Sequence, residues 1–373
     1  MTDVLAPRPD FERFRTALLC KGEPDRVPLA EAGIDQGIKE AILGRPLRSL
    51  QDEADFWRLA GYDFVPINTG LRLMLSLGHD PSYDPGARAQ AVKSVRLRAR
   101  ARYGVSDSED RERAWAQEHT GVVTTWEDLE RFPWPDPAEF DRLDDIKALG
   151  TIMPPSMKVV IYQGHIFTPA WELMGFETFC LKLIEEPSLI DALVQRIGEI
   201  QFAIFERLIG LPEVGAAWMP DDIAYTEGLM LAPSHFRRWL FPWYRRMGTI
   251  CSSLGKPLIY HSDGRLDEVM DDILGCGFNA LHPIEPKAMD IRSLKRKYGG
   301  RLCLMGNLDL GYTLTRGTPA EVVQETLGLL RDVAPGGGYC VGASNSVPEY
   351  VPLANYNAMR ETVLRFGQYP VSV

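Results

Sequence analysis

Eight short apolar segments, each running into polar residues, recur along this chain with helix-patterned stretches between most of them. They cover residues 27–33, 62–68, 158–164, 215–221, 257–263, 278–285, 302–309 and 338–345. Their near-continuous apolar character suits strands buried on both faces, as in a parallel sheet. Apolar residues at helical spacing fill 187–208 and 233–254, and shorter examples occupy 266–277, 290–300 and 319–337. Gly275 or Gly277, and Gly299, stand where helix C-caps are expected. Strand–helix alternation repeated eight times predicts an α/β fold, a (β/α)8 TIM barrel that makes residues 1–373 a single domain. The alternative is a doubly wound open sheet, but no Gly-rich phosphate loop follows the first strand. One stretch, about residues 70–156, is far longer than a crossover needs. Within it VKSVRLRARARYGV (92–105) alternates like a strand, and GVVTTW (121–126) reads as its partner. It is expected to be an insertion after the second strand, either covering the barrel mouth or decorating the periphery.

Charge narrows the function classes. Forty-one Lys and Arg stand against 51 Asp and Glu, a net charge of -10 spread along the chain, whereas a phosphate-backbone binder shows a basic face. No apolar run reaches the roughly 18 residues of a membrane helix, and the N-terminus MTDVLAPRPDFERF lacks the pattern of a signal peptide. The six cysteines are scattered, several inside apolar runs, so buried reduced thiols and a cytoplasmic location are expected.

In barrels of this kind catalytic groups sit at the C-terminal ends of strands. Those ends carry Glu31 and Asp35, Asn68, Gln163 and His165, Asp221 and Asp222, His261 and Asp263, His282 and Glu285, Asn307 and Asp309, and Ser344 and Asn345. His261-Ser262-Asp263 is the sharpest local signal, because alternation along a strand puts 261 and 263 on one side. An imidazole and a carboxylate so placed either bind a divalent metal or form an acid–base pair, or else hydrogen-bond to each other at a strand end. Asp221 and Asp222 offer a further carboxylate to that site, or an N-cap or turn. His282 is able to reach the mouth, although Pro283 points to a rigid turn, and Asn307 and Asp309 flank a turn. Trp218, on the same strand as Asp221, is the aromatic residue placed to meet a substrate. His79, His119 and His235 fall in loop or helix contexts. Nucleophile-elbow, Walker and Cys-x-x-Cys motifs are absent from the sequence.

Seven segments in order, ERFRTALLCKGEPDRVPL, FPWPDP, LAPSHFRRWLFPWYRRM, YHSDG, GFNALHPIEP, MGNLDLGYTL and GGGYCVGASNSVP, resemble the uroporphyrinogen decarboxylase superfamily over nearly the full length. The resemblance implies a (β/α)8 barrel and one of two activities: cofactor-independent decarboxylation of porphyrinogen acetates, or methyl transfer involving corrinoid proteins, often with zinc. The decarboxylases' R-Q-A-G-R pattern is replaced here by Ala30-Glu31-Ala32-Gly33-Ile34, without either arginine, and Asn345 stands where their late histidine would be. The thiol-directed zinc methyltransferases carry H-x-C followed by a later Cys; the corresponding residues here are His261, Asp263 and Asn345.

The resemblance therefore favours the methyltransferase branch: a methyl group passes from a small methoxylated or related donor to a corrinoid held by a partner protein. His261, Asp263 and Asp222 are the expected catalytic residues, with His261 and Asp263 as ligands of a metal such as zinc. Glu31, Asn68, His165, Trp218, Asp221, Asn307 and Asn345 are the expected substrate-binding residues. A homodimer is expected from the same resemblance. Two rival classes stand beside this one: a decarboxylase using Arg72 or Arg265 as the cation beside its substrate, and a non-catalytic carrier barrel.

Overall fold

The computed structural model describes residues 8–70, 121–132, 134–139 and 142–373. Seven strands form one parallel sheet in chain order: β1 (Phe64–Asn68), β2 (Lys158–Tyr162), β3 (Val214–Pro220), β4 (Leu258–His261), β5 (Ala280–His282), β6 (Cys303–Leu308) and β7 (Tyr339–Ala343). Every residue of β3 to β7 is buried, which is why these segments read as unbroken apolar runs rather than as alternating ones. The sheet curls. Trp218 of β3 and His282 of β5 bring their ring centroids within 4.8 Å although β4 lies between them.

The first of the eight expected strands departs from the prediction. Residues 27–33 form no regular strand but lie parallel to β7, with Ala30 N–H donating to the Val341 carbonyl at 2.8 Å and Val341 N–H to that of Pro28 at 2.9 Å. Pro28 has no N–H to extend the pairing toward Tyr339, and the Ala343 N–H goes to the Glu31 carboxylate rather than to a main-chain carbonyl, so the pairing stays at isolated bridges. Ion pairs anchor this segment beside the opposite sheet edge. Arg26 donates to the Gly61 carbonyl at 2.9 Å and lies 3.5 Å from Asp63, which also takes Arg13 at 2.6 Å. Asp63, just ahead of β1, is fully buried, and its carboxylate is held by these guanidinium partners and by the Asp10 N–H at 2.9 Å.

Between β1 and β2 the described part of the long connection holds the helices Trp126–Arg131 and Leu143–Ile152. GVVTTW is not a strand: Val122 and Val123 donate to the Leu173 carbonyl, and Thr125 forms a capping box with Asp128 that starts the first of these helices. Its expected partner, 92–105, lies outside the described residues. Pro187–Ile209 is one helix as the periodicity predicts. The 233–254 pattern divides into Pro233–Trp239 and Phe241–Ser253, because Pro242 has no N–H to continue the first helix. Among the described residues no helix is long and apolar enough to cross a membrane.

Candidate functional site

The C-terminal ends of β3, β4 and β5 converge on one cluster. Period-two alternation separates Asp221 from Asp222 just beyond β3 and puts His261 and Asp263 on the same side at the end of β4. His261 Nε2 lies 3.8 Å from Asp222 Oδ1 and 3.8 Å from Asp263 Oδ1. One ligand atom from each of the three residues falls within a 4.8 Å span. Main-chain and side-chain bonds fix the carboxylates. Asp222 Oδ1 accepts the Asp263 N–H at 2.9 Å, and Asp263 Oδ2 accepts Asn345 Nδ2 at 2.7 Å. Glu285 accepts the Gly264 N–H at 2.8 Å, which brings a third carboxylate to the same corner.

Asp263 Oδ1 is buried and has no hydrogen-bond partner. Burial, with Asp222 and then Glu285 adding like charge, pushes its carboxyl up to about 8. A cation among these oxygens would oppose all three effects. Ligands around an ion with bonds of about 2.1 Å are themselves separated by roughly 3–3.5 Å, close to the spacing seen. One imidazole and two carboxylates suit a divalent cation. The thiolates of a soft zinc site are missing from this corner. All six cysteines are free, and the two on strands, Cys303 and Cys340, lie at the opposite ends of β6 and β7, with sulfurs 3.8 Å apart.

Beneath the cluster His261 Nδ1 meets His282 Nδ1 at 2.7 Å, the two rings lying nearly parallel with centroids 4.9 Å apart. The contact follows from strand register, since His261 is paired with His282 across β4 and β5. His282 is fully buried, which, with His261 beside it, holds its imidazole well below the usual histidine range and therefore neutral.

Several expected site residues serve the scaffold instead. Asp221 is fully buried, and its carboxylate accepts the N–H groups of Ile166, Phe167 and Thr168 at 2.7–2.8 Å together with the hydroxyls of Thr168 and Tyr244. It holds the start of the helix Phe167–Met174 and has no surface left for substrate. Burial raises its carboxyl to about 6 despite these donors. Glu31 is likewise fully buried, accepts the Ala343 N–H at 2.7 Å, and is pushed well above the usual carboxylate range by desolvation. It pins residues 27–33 to β7 through one oxygen, while the other is buried without a hydrogen-bond partner. Asn307, at a φ of 87°, donates to the Ile284 carbonyl at 2.6 Å and holds a turn. Trp218 is fully buried below the histidine pair, against Phe64, Tyr162 and His282.

The remaining candidates are spread around the same end. Asn68 is exposed at the end of β1, where it accepts the Gly70 N–H, and His165 is half-buried in the loop after β2. Asn345 turns toward Asp263 as a hydrogen-bond donor. Arg265 is paired with Asp267 at 2.8 Å on the surface; Arg72, His79 and His119 lie outside the described residues. His235 stacks on Trp239, on an outer helix. His282 was legible only as a residue at a strand end. Its partnership with His261 needs the strand register, although two consecutive strands each ending in histidine were the available sign.

Comparison with known proteins adds an independent line. The uroporphyrinogen decarboxylase (URO-D) family profile matches residues 118–366. Two Methanosarcina barkeri proteins, each named methylcobamide:CoM methyltransferase MtaA and one of them from strain Fusaro / DSM 804, are 24% and 23% identical over 220 residues. That alignment covers 58% of this chain and spans 61% of each relative's length. A solved methyltransferase from Methanosarcina mazei has the same fold, with a TM-score of 0.64 at 19% identity, over 95% of this chain and 98% of that one.

Proposed function

The chain belongs to the uroporphyrinogen decarboxylase family, and on that premise we propose that it is a methyltransferase moving a methyl group from a small methoxylated or related donor to a corrinoid held by a partner protein. The observation that carries the reading is the grouping of Asp222, His261 and Asp263 at a strand-end rim, in a chain whose relatives include proteins named as methylcobamide:CoM methyltransferases.

In the transfer, the bond between the methyl carbon and the donor oxygen breaks as a carbon–cobalt bond forms. The cobalt, entering as cobalt(I), supplies the electron pair, and the departing oxygen needs positive charge beside it and a proton from solvent. His261, Asp222 and Asp263 would hold a divalent cation, which when bound supplies Lewis-acid polarisation of that oxygen. The oxygen-rich donor set leaves more positive charge on the ion than thiolates would. Asn345 fixes the Asp263 carboxylate, the Asp263 amide fixes Asp222, and the buried His261–His282 pair fixes the imidazole. Asn68 and His165, at the ends of β1 and β2, are placed to orient the donor.

The decarboxylase alternative has less support: of the two arginines the sequence offers as its cation, Arg265 is engaged with Asp267 on the surface and Arg72 lies outside the described residues.

The test is to mix the protein, supplied with Zn2+ or Mn2+, with a reduced corrinoid protein and a panel of methoxylated donors, following the corrinoid absorption. Donor-dependent methylation is expected. Absence of methylation with every donor, together with carbon dioxide release from a carboxylic acid, would transfer the chain to the lyase branch.

A further inference from the structure

His165 stands in the loop after β2, and buried polar side chains hold residues 163–168 from both sides. On one side Asp221 takes the N–H groups of Ile166, Phe167 and Thr168. On the other stand Gln163 and Gln201, both fully buried. Gln201 Nε2 donates to the His165 carbonyl at 3.1 Å. Gln163 Nε2 donates to the Gln201 carbonyl at 3.0 Å and to its side-chain oxygen at 3.3 Å. Gln163 Oε1 accepts the Thr69 hydroxyl at 2.9 Å, one residue beyond Asn68. This ladder ties the loops after β1 and β2, which carry Asn68 and His165, to the helix Pro187–Ile209.

Two glycines make the contacts possible. A Cβ at Gly164 would stand 2.4 Å from Gln201 Nε2, and one at Gly70 would stand 1.9 Å from the Gly164 Cα. Gln201 also departs from the character of its helix, whose buried residues Ile197, Ile200, Ile204 and Phe205 are apolar. Apolar groups of the same shape would fill the space of such a polar pair with little change in stability. A buried polar network instead fixes one geometry, which is what a binding residue carried on a loop requires.

We infer that Gln163 and Gln201 are positioning residues: they hold the main chain at His165, and with it the imidazole, beside Asn68 at the strand-end rim for the methyl donor. The inference rests on the donor-binding role proposed for Asn68 and His165, and adds that this part of the site is set before the donor arrives. A displacement of about 1 Å in a substrate-orienting group costs up to about 100-fold in rate.

Two measurements test it. Gln201→Met keeps the side-chain volume and removes the amide, whereas Gly164→Ala leaves Gln201 in place and pushes its amide off the loop. With 2-methoxyphenol, methoxybenzoate and methanol as donors, each variant is expected to lower kcat/KM about 10–100-fold, chiefly through KM. Mn2+ affinity at Asp222, His261 and Asp263 is expected to stay unchanged. In a His165→Ala background, Gln201→Met is expected to add little further loss, because the group it positions is gone. Fully additive losses, which a general structural role produces, would overturn the inference. In parallel, 13C–1H relaxation of the labelled histidine rings, measured without donor, reports the order of the His165 ring, with His165→Ala identifying its signal. A ring rigid in wild type and mobile in Gln201→Met is expected; a ring with the same order in both would overturn the inference. Loss of order in the variant of a protein that accepts no donor would uphold the clamp and remove the methyl-transfer reading. Transfer that Gln201→Met leaves at the wild-type KM would remove the clamp and leave that reading standing. The two failures are therefore distinguishable.

Discussion

Replacing His261 with alanine is expected to lower methyl transfer to the corrinoid by about 10³-fold or more while the protein remains folded. The magnitude follows from Lewis-acid polarisation of the departing oxygen, which is worth several kcal/mol in the transition state. His261 provides the one nitrogen donor among the three residues able to hold the ion. Without it two carboxylates remain, and burial together with their mutual repulsion already raises Asp263. The variant is therefore expected to lose its bound divalent ion together with its activity, at saturating donor and corrinoid. Single-turnover rates and metal content measured on one preparation check this. Retention of transfer within tenfold of wild type would remove His261 from the chemistry. Circular dichroism separates this outcome from unfolding, because the imidazole-sized cavity and the unpaired His282 Nδ1 together cost about 3–5 kcal/mol.

Asp221→Ala is expected to act on stability, and more severely than its neighbour Asp222→Ala. Five donors from two helices point at the Asp221 carboxylate. Its removal strands three main-chain N–H groups in the protein interior, where water does not replace it. Hydrogen bonds to a charged group contribute about 1.5–3 kcal/mol each, and several are lost together. Non-additivity reduces the sum, so a loss of about 3–5 kcal/mol is expected. With an unfolding entropy near 2.1 cal/mol/K per residue, that corresponds to a fall in Tm of roughly 4–6 °C for a chain of this length. Asp222 is half-buried and accepts one amide, so its alanine variant is expected to change Tm by less than about 2 °C. Thermal denaturation of the two variants side by side is the check. Equal Tm values would show that Asp221 does not hold the rim.

This contrast between adjacent aspartates marks the limit of what the residues alone disclose. Buried parallel strands and outer helices were legible because each carries its own periodicity, and His261-Ser262-Asp263 was legible because both functional atoms come from a single strand. The main-chain partners of Asp221 lie 53–55 residues earlier in the chain, and no local pattern distinguishes a carboxylate that caps a distant helix from one that meets a substrate. Glu31 is similar: its partner is Ala343, 312 residues away. At position 307 the decisive fact is a backbone angle. The missing eighth strand had no decisive local sign: Pro28 lacks an N–H, yet Pro66 sits within β1, and the Ala343 N–H that would extend the pairing is taken by Glu31. The His261–His282 pair required the register of β4 against β5, which depends on how the sheet assembles.

The account stands on Asp222, His261 and Asp263 sharing one cation. Anomalous scattering from crystals soaked in Mn2+ locates that ion directly. The expected result is a single peak bonded to His261 Nε2 and to an oxygen of each carboxylate at about 2.0–2.3 Å. A saturating soak that leaves this corner without a peak, the three side chains unmoved and Asp263 Oδ1 still bare, would contradict it.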